Sequence, residues 1–174
     1  IQLASAFTRT VARFKLIDRV PQASALLFSR IAQQQGGSVS FVPTNVVVPG
    51  FDLYIHDFPP AMQEDFPSRV VVMPTLLDAA SFLIFKRGQA AVREMGKTVI
   101  PVANRYRSDR TEQRQLVKEF NSNLVIKDRA VYANAYGKGQ TVFDSQQAYA
   151  RHACHEIEQV RDTITSITNP RSNA

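Results

Sequence analysis

A single cysteine, Cys154, stands in 174 residues, so no disulfide can close within the chain and a reducing compartment is expected. No apolar run approaches the roughly 18 residues that span a bilayer. The first residues also lack the layout of a signal peptide, so the expectation is a soluble cytoplasmic protein without a membrane partner. Low-complexity tracts and internal repeats are missing too, which argues against linkers and solenoids. What remains, with 44% hydrophobic residues, is enough for one domain with a real core and too little for two. One domain over residues 1–167 with a flexible tail at 168–174 is expected.

The formal charge is +6 and the pI is near 9.8, a balance that attracts polyanions. Its position matters more than its sum. Between 105 and 118 stand Arg105, Arg107, Arg110, Arg114 and Lys118 against Asp109 and Glu112. A helix over 108–120, with Ser108 as its N-cap, would carry Arg107, Arg110, Arg114 and Lys118 along one face.

Taken in order, the chain alternates helical and extended patterns. Apolar positions 1, 3, 4 and 7 suit an amphipathic helix over 1–10, and 11–17 reads as a strand ending at Asp18. A helix over 22–35 is stopped by Gly36 and Gly37. Residues 39–48 are β-branched but interrupted by Pro43, which predicts a short or edge strand. The stretch F-D-L-Y-I-H-D-F-P-P at 51–60 is a buried strand, 53–55, that delivers Asp57 into a proline-stiffened loop. A strand at 69–73 ends at Pro74 and Thr75. The long helix at 76–95 would bury Leu76, Leu77, Ala80, Leu83, Ile84 and Val92, and Gly96 would stop it. Strand 98–103 runs into Asn104. A short strand at 124–126, a short helix through Tyr136, a glycine turn and a final helix from an Asp144 cap to 167 complete the chain. This alternation predicts a three-layer α/β sandwich with a mainly parallel sheet and its ligand crevice at the strand C-termini.

On such a sheet Asp18, Asp57, Thr75 and Asn104 each follow a strand and would meet on one rim. Two acids there suit a hydrated Mg²⁺ beside phosphates, because that ion keeps most of its waters and takes one or two carboxylates. Strands that merely end in turn-forming polar residues would give the same letters. The tripeptide Gly96-Lys97-Thr98 is not a P-loop: Ala91 stands where the motif needs glycine, and a helix ends there as a strand begins. His152, Cys154 and His155 fit a plain helical face better than a metal site, and His56 and Asp57 point to opposite faces of their strand.

Five segments in order resemble the ParA/MinD group of deviant-Walker ATPases, most nearly the small ParA-type proteins that segregate plasmids. L-I-D-R-V-P-Q at 16–22 resembles the family's L-I-D-x-D-P-Q, and 51–60 resembles its Walker B segment. V-V-V-M-P-T-L-L-D at 70–78, V-I-P-V-A-N-R at 99–105 and K-D-R-A-V-Y-A-N-A-Y-G-K-G-Q-T-V-F-D at 127–144 resemble later blocks. The resemblance implies an ATPase using ATP and Mg²⁺, in which Asp18 polarises water or supports the metal shell and Asp57 holds the metal through water. It places Asn104 on adenine, with Arg105, Lys127, Arg129 and Tyr132 near the base, and Arg107, Arg110, Arg114 and Lys118 against DNA. It further implies an ATP-closed homodimer that binds nucleoid DNA without sequence preference and is triggered by a ParB-like centromere-binding partner.

Two departures stand out. Val20 replaces the second acid of D-x-D-P-Q, and the family's K-G-G-x-x-G-K-[ST]-T loop is absent, 1–7 resembling the helix after it. The chain as given is therefore expected to hold ATP weakly, and to be a fragment whose first strand and P-loop lie upstream rather than a degenerate relative. The alternatives are a non-catalytic adaptor that binds DNA or protein through its basic face, and a MinD-like membrane-surface factor. The uncharged end of the last helix speaks against the second.

Overall fold

A computed structural model describes residues 1–37, 39–60, 65–120 and 122–168. The flexibility expected of the tail concerns residues 169–174, which lie outside these. The chain forms two compact units: Ile1–Ala61 with Ala130–Glu158, and Met62–Arg129 with Gln159–Ala174. Each holds a three-stranded, wholly parallel sheet flanked by helices.

The first unit contains α1 (Gln2–Thr8), β1 (Phe14–Asp18), α2 (Ser24–Gln34), β2 (Pro43–Thr44), β3 (Leu53–Asp57) and α5 (Ala130–Gly137). The elements between β3 and α5 belong to the second unit: β4 (Val70–Leu76), α3 (Ala79–Glu94), β5 (Thr98–Tyr106), α4 (Thr111–Glu119) and β6 (Val125–Lys127). The last helix, α6 (Ala150–Thr168), follows a 3₁₀ turn at Val142–Asp144. Strand order in the first unit is β2-β1-β3. Pro43 sits on the edge strand, where its missing amide costs no ladder bond. The core beneath is aromatic: Phe7 stacks on Phe14, and Phe28 lies between Phe41 and Tyr136, 6.3 and 5.3 Å between ring centres. Gly139, at φ 63°, seats its Cα so close to Ala32 of α2 that a Cβ there would lie 2.3 Å from the Ala32 Cα.

In the second unit the order is β4-β5-β6. β4 runs on to Leu76 rather than stopping at Pro74, since a proline is tolerated on an edge strand. Pro101 stands in the central strand, but β6 pairs with β5 only from Ala103 onward, and the Pro101 carbonyl accepts the Ser122 hydroxyl at 2.8 Å. Leu77, Phe82, Phe85, Ala103 and Phe120 form the core.

Several sequence expectations shift here. The α3 helix begins after Asp78, whose carboxylate accepts from the Ser81 amide at 2.9 Å. It buries Phe82, Phe85 and Val92, while Leu83 and Ile84, expected inside, are 62% and 72% exposed. Both faces carry apolar residues at helical spacing, and the larger rings take the inner one. The α4 helix starts at Thr111 with Arg110 as N-cap rather than at Ser108. Arg107 and Arg110 therefore precede the helix, and only Arg114 and Lys118 of the expected cationic face ride on it. Asp144 closes the 3₁₀ turn in a capping box with Thr141, not the final helix.

Candidate functional site

In the first unit β1 and β3 run parallel with Asp18 and Asp57 as direct register partners, so both carboxylates leave the sheet at one end. Their environments differ. Asp18 is buried, and its two oxygens accept three backbone amides: Val20 at 3.1 Å, Ala25 at 2.9 Å and Leu26 at 3.3 Å. Ala25 and Leu26 open α2, whose N-cap residue, Ala23, has no capping side chain and sits at φ 51°. A carboxylate from the neighbouring strand thus does the capping, where the helix dipole favours negative charge. Little in the sequence signals this, because the cap lies six residues upstream of the helix it closes.

Asp57 is half-buried at the end of β3, and its backbone carbonyl accepts from the Arg19 amide at 2.8 Å. Burial raises its carboxyl above the ordinary range, and the Asp18 charge adds to that shift. Asp57 and Asp18 therefore share one electrostatic neighbourhood. On the other face of β3, His56 stacks on Phe58, and burial followed by the Arg19 charge pushes its imidazole below the usual range.

The raised Asp57 carboxyl has a consequence for stability. Its proton is held more tightly in the folded than in the unfolded chain, so the contribution is fully present below the unfolded pKa and is lost as pH rises through the folded one. Asp57→Asn should therefore raise the melting temperature by a few degrees at pH 7 and by less at pH 4, about 2–4 °C per kcal/mol at this chain length. Thermal melts at the two pH values check it, and an unchanged difference between them would contradict it.

The residues present fit Mg²⁺ unequally. Three amides leave the Asp18 carboxylate little room to act as a ligand, whereas Asp57 has the partly solvated carboxylate that an outer-shell contact requires. Among the described residues no group of three or more His, Cys, Asp or Glu side chains is placed to hold a metal ion by itself. Gly96 ends α3 at φ 72°, and Lys97 reaches the Phe66 carbonyl at 2.6 Å and Asp65 at 3.1 Å, so this lysine serves the fold.

In the second unit Asn104 lies opposite Leu76, the last residue of β4, and inside β5 rather than after it. Beyond it β5 bulges: Ala103 and Tyr106, three apart, pair with Val125 and Lys127, two apart. Arg105 sits in the bulge at φ 55°, and its Nε lies 3.3 Å from Asp128. Asn104, Arg105 and Lys127 are thus gathered at the ends of two adjacent strands, with Arg129 two residues past β6. Tyr132 is on α5 of the first unit, where its hydroxyl lies 3.3 Å from the Ala153 carbonyl and 3.3 Å from the buried Glu156 carboxylate. Of the residues expected to meet DNA, Arg107 forks onto Asp109, which raises its pKa. Arg114 donates to the Ser108 carbonyl at 2.7 Å and the Thr111 hydroxyl at 2.8 Å, while Arg110, Arg114 and Lys118 are exposed. Gln113, a residue the sequence did not single out, is buried and accepts the Arg107 amide at 2.7 Å, tying this basic loop to α4.

Parallel sheets flanked by helices, with acids at the strand C-termini, define an α/β fold of the P-loop NTPase-like class. The chain has the ParA/MinD-type fold, as comparison with solved structures shows. It matches a chain of the MinC:MinD cell division protein complex of Aquifex aeolicus at TM-score 0.69 and 12% identity, over 92% of this chain and 88% of that one. It matches a protein described as a plasmid partition protein of Borrelia burgdorferi B31, bound to AMPPNP, at TM-score 0.70 and 12% identity, over 93% and 90%. The cell division ATPase MinD of Pyrococcus furiosus gives TM-score 0.67 and 12% identity, over 94% and 91%. No family model and no curated protein matches at the sequence level.

Proposed function

We propose that this protein is a ParA-like ATPase that serves plasmid or DNA partition, its residues 1–167 acting as one nucleotide-binding domain. The observation that carries the reading is the in-register pair Asp18 and Asp57 at the C-terminal ends of parallel β1 and β3. In this reading Asp57 holds Mg²⁺ through water. When bound, the ion would neutralise charge on a phosphate. Asp18 fixes the turn into α2 and leaves at most one lone-pair direction for a water. Asn104, with Arg105, Lys127 and Arg129 around it, recognises the base, and Tyr132 fixes α5 against α6. Exposed Arg110, Arg114 and Lys118, with Arg107 before them, meet the phosphates of DNA. A homodimer closed by ATP, nucleoid binding and a ParB-like trigger complete the cycle, as the resemblance of the sequence segments to ParA-type proteins implies.

The second reading is an adaptor of the same fold that binds DNA or protein through its basic face, where Arg110, Arg114 and Lys118 are exposed. DNA retention by the full-length polypeptide distinguishes the two. An ATPase should be retained on DNA-cellulose in the presence of ATP and Mg²⁺, and Asp57→Ala should reduce that retention at least about tenfold. Retention indifferent to ATP and to Asp57→Ala would mark the adaptor. In either case binding should weaken steeply with salt, by a slope of about 0.9 per phosphate neutralised.

A further inference from the structure

Arg105 occupies the left-handed region at φ 55°, which side chains bearing a Cβ disfavour, and it does so inside a strand. The bulge that permits this re-aims the residue, and the guanidinium meets Asp128 across the β5–β6 ladder, Nε to Oδ1 at 3.3 Å. Asp128 is itself fixed, since its amide donates to the Tyr106 carbonyl at 3.0 Å. Its charge is also felt by Arg107, whose own hydrogen bonds go to Asp109. A carboxylate thus stands one residue past β6, the strand that neighbours β5, held by Arg105 and within the field of Arg107.

An open carboxylate in that position would have a definite preference. It accepts and never donates, so it complements guanine, which offers a ring N–H and an amino group side by side. Adenine offers one amino group next to a ring nitrogen acceptor, which a carboxylate repels. A carboxylate whose charge a guanidinium partly neutralises, with one oxygen engaged, accepts the guanine pair less well. We infer that the Arg105–Asp128 pair is a base-selectivity device: Arg105 masks Asp128 and so sets this rim for adenine over guanine nucleotides. The inference rests on the reading of Asn104 as the base-recognition residue.

Titration of the full-length polypeptide with fluorescent ATP and GTP analogues tests it. Arg105→Gly removes the guanidinium and accepts the backbone angle without strain, and Arg105→Asn, which also tolerates that region, serves as the second variant. Wild type should prefer ATP. Both variants should shift the ATP:GTP affinity ratio toward GTP by about tenfold or more, the worth of one good polar pairing. Adding Asp128→Asn to Arg105→Gly should return the ratio to near the wild-type value. If ATP binds but the ratio is unmoved by Arg105→Gly, or the shift survives Asp128→Asn, the selectivity device is wrong and the base site stands. Equal wild-type affinity for GTP and ATP also overturns the device. If wild type binds neither nucleotide, the base site and the device fall together.

Discussion

Gly139→Ala is expected to be the most damaging single methyl group in the first unit. Two costs add at this position. The residue sits at φ 63°, where a Cβ strains the backbone by about 1–3 kcal/mol. The new methyl would also lie 2.3 Å from the Ala32 Cα, 2.4 Å from its nitrogen and 2.8 Å from its Cβ. Those are mostly backbone atoms of α2, so no flexible side chain can swing away. The helix would have to shift, and over-packing of this kind costs roughly a further 1–3 kcal/mol. The sum, about 2–6 kcal/mol, corresponds to a fall in melting temperature on the order of 10 °C. Gly137→Ala is the matched control, since open space surrounds its would-be Cβ and its φ is not positive. Equal melting temperatures for the two variants would show that α2 does not approach this turn so closely.

Asp18→Ala is expected to cost nearly as much for a different reason. Its carboxylate serves three amides, two of them in the first turn of α2, and the residue is buried. Loss of a helix cap alone costs about 1 kcal/mol. Buried donors left without an acceptor cost about 1–3 kcal/mol each before relaxation or entering water reduces the total, so about 2–4 kcal/mol is the expected loss. Asp18→Asn keeps one acceptor oxygen and should lose roughly half as much, about 1–2 kcal/mol. Urea denaturation of the three proteins gives the ordering directly, without any nucleotide. If Asp18→Ala were as stable as wild type, the carboxylate would be free for a metal or a water, and the division of labour between Asp18 and Asp57 drawn above would reverse.

The alternation of patterns carried the fold class, because a parallel sheet imposes buried strands between amphipathic helices wherever the chain is cut. The pair of acids was legible for a related reason: two apolar strands ended in aspartate, and parallel neighbours in register bring such ends together. Other features depended on what lay across from a residue rather than beside it. Asn104 reads as the start of a loop, yet β6 continues the ladder through a bulge and keeps it in the strand. Both Leu83-Ile84 and the Phe82, Phe85 pair have helical spacing, and only Phe120 packing against the rings decides which goes inward. Arg107 and Arg110 fall at helical spacing with Arg114, but the Arg107 amide bonded to Gln113 ends the helix before it reaches them. The contact of the Tyr132 hydroxyl with Glu156, 24 residues downstream, is one that no local pattern announces.

Among the described residues the V-V-V-M run of β4 is hydrogen-bonded on one side only, to β5. An uncharged strand paired on one side only leaves backbone groups with which another extended chain can pair, and Pro74 interrupts that margin at a single rung. Handling of the isolated polypeptide at high concentration is therefore governed less by its basic surface, which keeps molecules apart at low salt, than by this seam once salt screens the repulsion.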